Sequence, residues 1–300
     1  MILAAGVGSR LAPLTDWRPK ALVPVGDRPM LARLALQLRA ANVDRIVINA
    51  HHHASELVAF VRDSKAELGE IGVSEERDLL GTAGGVSHAC ALLGVGSTLI
   101  WNGDIVADLD VAALAHSHDE QPTEATLAVT ITEKNAGNVG IDASGNIVRL
   151  RKETTAPGEV RGGFFLGVHV IGEALRSACP PVGCLIGDVY LPALRRGARL
   201  RAFVFDGEFS DIGSPTSYLD ANLAWLGSKK IASWKSDNAD VESTIEIRQS
   251  IIGEGARLTG AGSLDSCVVW PGTHFDMSRA TRRRLANAVV TPFGVVNLSL

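Results

Sequence analysis

Met1-Ile2-Leu3-Ala4-Ala5-Gly6-Val7-Gly8-Ser9-Arg10-Leu11 sets a short apolar run directly against a glycine-rich turn that carries an arginine. The apolar run reads as a buried strand, and the glycines let backbone N–H groups approach a ligand closely. Working outward, Leu31, Leu34, Ala35 and Leu38 recur at i, i+3, i+4 and i+7, the apolar stripe of a helix. Arg45-Ile46-Val47-Ile48-Asn49 is the next strand, residues 55–61 the next helix, and Thr98-Leu99-Ile100-Trp101 a further strand that runs into Asn102-Gly103-Asp104. Strands and helices that alternate with short connections predict a mainly parallel sheet with helices on both faces. Ligands of such sheets sit beyond the carboxyl ends of the strands, where residues 6–10 and 102–104 both fall.

From residue 125 the pattern changes. Leu127, Val129 and Ile131 alternate like a half-exposed strand, and residues 147–150 and 164–171 read similarly. These are expected to add antiparallel strands over the substrate side. A helix is expected around 188–196, a strand at 200–205, then Asp211 and a helix over 215–226. Residues 228–243 are polar and weakly patterned and read as a linker. Beyond them Ile252, Leu258, Leu264 and Trp270 lie six apart among Gly253, Gly255, Gly260, Gly262 and Gly272. That spacing fits a parallel β-helix or a loop-rich tail. The fold expected is therefore α/β and Rossmann-like, with a catalytic region over 1–227, a linker over 228–243, and a short hexapeptide-repeat, left-handed β-helix-like C-terminal region over 244–300.

Composition narrows the functional classes. At 46% apolar and 21% charged, the chain is an ordinary globular protein, long enough to bury a core without disulfides. A net charge of -4 gives no electrostatic reason to expect nucleic acid or an anionic membrane as partner. Cys90, Cys179, Cys184 and Cys267 include no CxxC pair, which argues against a zinc site or a disulfide framework and for a reducing cytoplasm. No uninterrupted apolar run is long enough to span a membrane, and the first residues lack the basic and apolar regions of a signal peptide.

Taken alone, the glycine turn is a weak phosphate-binding signal. No Gly-Lys-Ser/Thr follows, so it is not a P-loop, and Leu11 stands where a dinucleotide fingerprint has its third glycine. The longer string, Leu3-Ala4-Ala5-Gly6-Val7-Gly8-Ser9-Arg10-Leu11-Ala12-Pro13-Leu14-Thr15 followed by Arg18-Pro19-Lys20-Ala21-Leu22-Val23-Pro24-Val25, is more specific. It resembles the signature of the sugar-1-phosphate nucleotidyltransferases. Leu80-Gly81-Thr82-Ala83-Gly84-Gly85, Asn102-Gly103-Asp104 and Asp211-Ile212-Gly213-Ser214-Pro215 follow in the family's order.

The resemblance implies a nucleotide site lined by Leu3, Ala4, Ala5, Gly6, Gly8, Ser9, Arg10, Glu76, Gly81, Thr82 and Asn102. It implies Arg10, Lys20 and Asp104 as catalytic residues, Asp104 and Asp211 as ligands of Mg2+, and Gly140, Lys152 and Gly167 as sugar-phosphate contacts. An Asp before a helix is by itself more often a cap than a ligand; two in the family order favour the metal. Where relatives carry a Glu-Lys pair this chain has Arg151-Lys152, with Glu153 a candidate replacement one residue on. The LGTAG form and the glycine-rich tail lean toward the mannose-1-phosphate guanylyltransferases, hence GTP and mannose 1-phosphate. Uridylyl- and thymidylyltransferases share nearly all the motifs.

A non-catalytic relative that binds nucleotide sugar would usually lack a reactive Lys or metal Asp, and all are present here. A glycosyltransferase would leave Arg10 and Pro19-Lys20 without a purpose. His51-His52-His53 reads as loop, since consecutive side chains diverge and no carboxylate spacing accompanies them. The strand before the glycine turn is shorter than in relatives, which raises the expectation of further residues ahead of Met1. The tail is expected to bring protomers together as a homo-oligomer.

Overall fold

β-Branched side chains are stiff at χ1 and fit a pleated surface, and the Ile46–Ala50 strand built on them is buried at all five positions. In the computed structural model, which describes residues 1–298, this strand lies parallel to Ile71–Glu75 and to Ile2–Leu3. Ile2–Leu3 is also parallel to Thr98–Asn102, with Leu3 opposite Asn102. Four parallel strands therefore end at one edge, at Leu3, Ala50, Glu75 and Asn102.

The chain falls into two compact units, Met1–Val7 with Leu31–Phe209, and Gly8–Met30 with the chain from Ser210 onward. In the first unit the sheet continues as expected into antiparallel strands. Arg161–Ile171 pairs with Thr98–Asn102 and with Val139–Ile141, and Ile147–Leu150 and Glu153–Thr154 extend it further. Ala125–Thr132 lies antiparallel to Arg161–Ile171 and parallel to Leu200–Val204. The helical stripe of Leu31, Leu34, Ala35 and Leu38 is buried, and one apolar cluster joins Val47 and Ile100 to Ala83 and Val86 of the Gly81–His88 helix.

Ala125–Thr132 differs from the alternating expectation. Its first five residues are buried on both faces, whereas Ile131 is exposed. The second face is covered because Thr126 meets His118 of the Val111–Asp119 helix, Oγ1 to Nδ1 at 3.1 Å. Ala128, on the same face as Thr126, is small and leaves room there.

The antiparallel strands are held by an ion pair that the sequence pattern does not announce. Arg149 donates from Nε and Nη2 to the two carboxylate oxygens of Glu159 at 2.8 and 3.0 Å. Its remaining donors reach the carbonyls of Gly137, Arg151, Ala136 and Val139. Both side chains are buried, and a buried guanidinium with every donor used is a specific lock on this arm of the sheet.

In the second unit, Pro215–Lys229 is a helix opened by a reciprocal capping box between Ser214 and Ser217 and ended by Lys230 in the left-handed region. Gly26 N donates to Asn222 Oδ1 of this helix at 2.9 Å, which draws residues 8–30 into this unit. The segment expected as a linker instead carries the strands Trp234–Lys235 and Asp240–Val241. These open a parallel coil in which Trp234 pairs with Ile251 and Ile251 with Val268, and Asp240 with Arg257 and Arg257 with His274. The step is seventeen residues, and Arg284–Thr291 with the antiparallel Gly294–Asn297 closes the coil. Ile252, Leu258 and Leu264 are buried inside it, and Trp270, also buried, donates from Nε1 to Tyr218 Oη of the helix at 3.0 Å.

Truncating Glu159 leaves the Arg149 charge buried and unpaired, so Glu159→Ala is expected to cost about 3–5 kcal/mol in a urea unfolding titration. Hydrogen bonding from Arg149 holds the Glu159 carboxyl below the ordinary carboxylate range. A depressed folded-state pKa stabilises above the unfolded value and the benefit is lost as pH falls through the folded one. Wild-type stability should therefore decline on acidification below about pH 4.5, and more steeply than that of the variant.

Candidate functional site

Within the first unit, the ends of the parallel strands bring most of the expected residues to one edge. Gly103 N donates to Leu3 O at 2.9 Å, so the Asn102-Gly103-Asp104 turn lies against the N-terminal strand. Asp104 is half-buried in that turn, between the Thr98–Asn102 and Ile105–Ala107 strands. Gly167 backs onto the Asn102 side chain; a β-carbon there would lie 2.5 Å from Asn102 Nδ2. The Gly81–His88 helix begins at the glycine-rich LGTAG turn. Its start is held by Leu185 N donating to Thr82 Oγ1 at 2.8 Å and by Gly183, which bonds to both Leu80 and Ala83.

The edge also holds residues that motif reading passed over. Ala4 N donates to Asn49 Oδ1 at 2.8 Å, and Asn49 Nδ2 donates to Glu76 Oε1 at 2.7 Å. Asn49 was legible only as a polar residue ending an otherwise apolar strand. His51 Nδ1 lies 3.0 Å from the Glu76 carbonyl, while His53 pairs with Glu56 at the start of the Ala54–Asp63 helix. The three histidines are loop residues, as expected, and no group of three or more metal-ligating side chains occurs among the described residues.

The sugar-side candidates sit on the antiparallel arm. Gly140 stands against the Arg149–Glu159 pair, where any side chain would collide with the Glu159 carboxylate. Lys152 is exposed at the two-residue turn between Ile147–Leu150 and Glu153–Thr154. Glu153, the candidate replacement, is held by Arg195, whose Nε and Nη2 reach its oxygens at 2.7 and 2.6 Å. Arg151 turns instead toward Cys184, with Nη2 3.1 Å from Sγ.

In the second unit the loop folds on itself. Gly8 has φ +68, and the Ser9–Leu11 turn closes by Leu11 N donating to Gly8 O at 2.8 Å. Thr15 Oγ1 donates to the same carbonyl at 3.0 Å. The Lys20 side chain runs past Gly8, with Cδ 3.2 Å from where a β-carbon would stand. Arg10 and Asp211 both border Gly213; Arg10 Nη2 and Asp211 Oδ1 are each 3.4 Å from its β-carbon position. Asp211 is exposed at the end of the Phe209–Asp211 strand, just ahead of the capped helix.

Gly8→Ala forces an L-residue into the left-handed region at about 1–2 kcal/mol, and its methyl would meet the Thr15 methyl at 2.8 Å. At Gly6 a β-carbon meets nothing within 4 Å among the described residues. Scanning calorimetry should therefore show a lower melting temperature for Gly8→Ala and none of that loss for Gly6→Ala.

Known proteins resemble the chain in sequence and in fold. A family model described as nucleotidyl transferase matches residues 1–227. The N-acetylmuramate alpha-1-phosphate uridylyltransferase of Caulobacter vibrioides is 35% identical over 192 residues, covering 60% of this chain and 77% of that protein. A mannose-1-phosphate guanyltransferase of Aspergillus oryzae is 28% identical over 233 residues, 76% of this chain, and the chain spans 64% of that relative's length. Among solved structures, HddC from Yersinia pseudotuberculosis complexed with GMP-PN shares the fold, with a TM-score of 0.63 at 23% identity over 75% of this chain and 97% of HddC. With three quarters of its length matched and the motifs standing at the strand ends, the chain belongs to the nucleotidyl transferase family.

Proposed function

We propose that the chain joins a nucleoside triphosphate to a sugar 1-phosphate and releases pyrophosphate, with GTP and mannose 1-phosphate as the first reading. The observation that carries it is the convergence of Leu3, Asn102-Gly103-Asp104 and the LGTAG turn at the carboxyl edge of the parallel strands. A second reading, UTP with an acid-bearing amino sugar 1-phosphate, is favoured by the 35% identity to the Caulobacter uridylyltransferase. The two adjacent cations Arg151 and Lys152, where a Glu-Lys pair was expected, also favour it.

In the reaction a sugar-phosphate oxygen attacks the α-phosphorus in line. The new P–O bond forms as the bond to the β-phosphate oxygen breaks, and pyrophosphate leaves with the electron pair. The nucleophile is already an anion, so no side chain has to remove a proton. The difficulty is bringing two polyanions together, which calls for positioning and charge neutralisation. In this reading Leu3, Ala4, Ala5, Gly6, Gly8 and Ser9 line the nucleotide site, with backbone N–H groups of the glycine turn following the triphosphate, while Gly81, Thr82 and Asn102 meet base and ribose. Arg10 and Lys20 offset charge on the transferring group and pyrophosphate. Gly140, Lys152 and Gly167 receive the sugar phosphate.

Mg2+ needs only one or two carboxylates because substrate phosphates and waters complete its shell, and Asp104 and Asp211 are the donors this reading assigns. Bound there, the ion would neutralise triphosphate charge as it shifts to the leaving group. No helix among the described residues is long and apolar enough to cross a membrane, and the free cysteines suit the cytoplasm assigned in this reading. Residues 1–227 are assigned the catalysis, and the C-terminal coil the contacts of a homo-oligomer, which a monomeric mass by light scattering at micromolar concentration would disprove.

Asp104→Asn is expected to lower turnover at least ~10²-fold in Mg2+, followed by pyrophosphate release. Near-normal turnover would sink the metal assignment. A panel of GTP, UTP, dTTP and ATP against mannose 1-phosphate and N-acetylmuramate 1-phosphate separates the two readings: the first requires GTP with mannose 1-phosphate to be fastest.

A further inference from the structure

The sequence reading placed Glu76 among the nucleotide contacts, but the residue is only 5% exposed and both its carboxylate oxygens are engaged within the protein. Oε1 accepts from Asn49 Nδ2 at 2.7 Å, and Oε2 accepts from Leu80 N at 3.2 Å, immediately before the Gly81–His88 helix. The other end of the Asn49 amide accepts from Ala4 N at 2.8 Å. Asn49 is itself 3% exposed. We infer that Asn49 and Glu76 are positioning residues, a buried hydrogen-bonded relay that fixes the N-terminal loop at Ala4 to the LGTAG turn at Leu80. The inference rests on the proposed nucleotidyl transfer, in which those two segments hold the nucleotide from different sides.

The chemistry of each group leaves one arrangement. Ala4 N and Leu80 N are both donors, so the relay must present an acceptor at each end. Asn49 supplies an acceptor toward Ala4 and a donor toward Glu76, and the carboxylate is acceptor at both of its atoms. Reversing the Asn49 amide would set donor against donor and oxygen against oxygen. The two bonds made by Asn49 are buried and the one to Leu80 N is partly so, and leaving a buried one unmade carries the desolvation penalty of the group. Glu76 is fixed along its own backbone as well, its N–H donating to Ala50 O at 2.8 Å and its carbonyl lying 3.0 Å from His51 Nδ1.

The relay also explains the last glycine of the LGTAGG string. A β-carbon on Gly85 would lie 2.6 Å from Asn49 Nδ2 and 2.8 Å from Glu76 Oε1. Any larger residue would push the helix off the relay. The loop, the ends of two strands and the glycine-rich turn are thus fitted to one carboxylate and one amide. A displacement of about 1 Å in a reacting group can cost on the order of 10²-fold in rate, which is why such a clamp matters to the chemistry.

The polarity of the relay can be reversed, and that is the test. Glu76→Gln sets an amide N–H₂ against either Leu80 N or Asn49 Nδ2. Asn49→Asp sets a second carboxylate against Glu76. In the double variant Asn49→Asp/Glu76→Gln, the aspartate accepts from Ala4 N and from the new amide, and the glutamine oxygen accepts from Leu80 N. Every bond is restored with the charge moved. Each single variant is expected to lose about 10- to 100-fold in kcat/KM for the triphosphate, with KM rising. The double variant should return to within about 3-fold of the parent, with the same order of preference among the four triphosphates. Amide hydrogen exchange at Ala4 and Leu80 should lose protection in the singles and regain it in the double.

The inference is overturned if the singles keep parental kcat/KM. It is overturned equally if the double variant regains protection at both amides yet stays as slow as the singles or changes its base preference, since the Glu76 charge itself would then touch the nucleotide. Should the parent turn over no triphosphate with any sugar 1-phosphate, the reaction assignment fails, while the exchange measurement still decides whether the relay holds the two segments.

Discussion

Ile2–Leu3 is the shortest kind of strand, yet the first unit is organised around it. It is hydrogen-bonded on both sides, to Ile46–Ala50 and to Thr98–Asn102, so its backbone is satisfied without length of its own. Parallel pairing aligns the carboxyl ends of four strands, and the N-terminal loop, the Asn102-Gly103-Asp104 turn and the segment leading to the LGTAG turn leave from that edge. Leu3 receives Gly103, Ala4 is held by Asn49, and Glu76 follows the next strand out. A two-residue strand in this position can tolerate no register error, because a slip of one residue would exchange the buried and the functional faces.

The second unit solves a different problem. Its loop carries Arg10 and Lys20 on a backbone folded around a left-handed glycine, Gly8, whose carbonyl receives both Leu11 N and the Thr15 hydroxyl. The capped helix at Pro215 and the coil behind it supply a rigid frame, joined by the Trp270–Tyr218 hydrogen bond and by the Arg18 guanidinium, which lies 5.1 Å from the Trp270 ring centroid.

Much of this was legible from local pattern. The i, i+3, i+4, i+7 stripe of Leu31 to Leu38 and the six-residue spacing of Ile252 to Trp270 each reported burial correctly, because periodicity reflects which face meets the core. Pattern failed where burial came from somewhere else. Ala125–Val129 looked half-exposed because its second face carries small and polar residues, and only the His118–Thr126 contact shows that face to be covered. The stretch read as a linker lacks apolar periodicity because its short strands borrow their core from the next turns of the coil, through Ile251 and Ile252.

The sequence by itself determined the family, the order of strands and turns, and the placing of Arg10, Lys20, Asp104 and Asp211 in motif positions, since these depend on contiguous strings of residues. Only the tertiary structure decided what the remaining polar groups do. Asn49 meets Ala4 across 45 residues, and Arg195 claims Glu153 across 42. A carboxylate is chemically the same in each setting. Whether it reads a ligand, holds a backbone or pairs with an arginine depends on which donors folding brings within about 3 Å, and that distance is not written in the order of the residues.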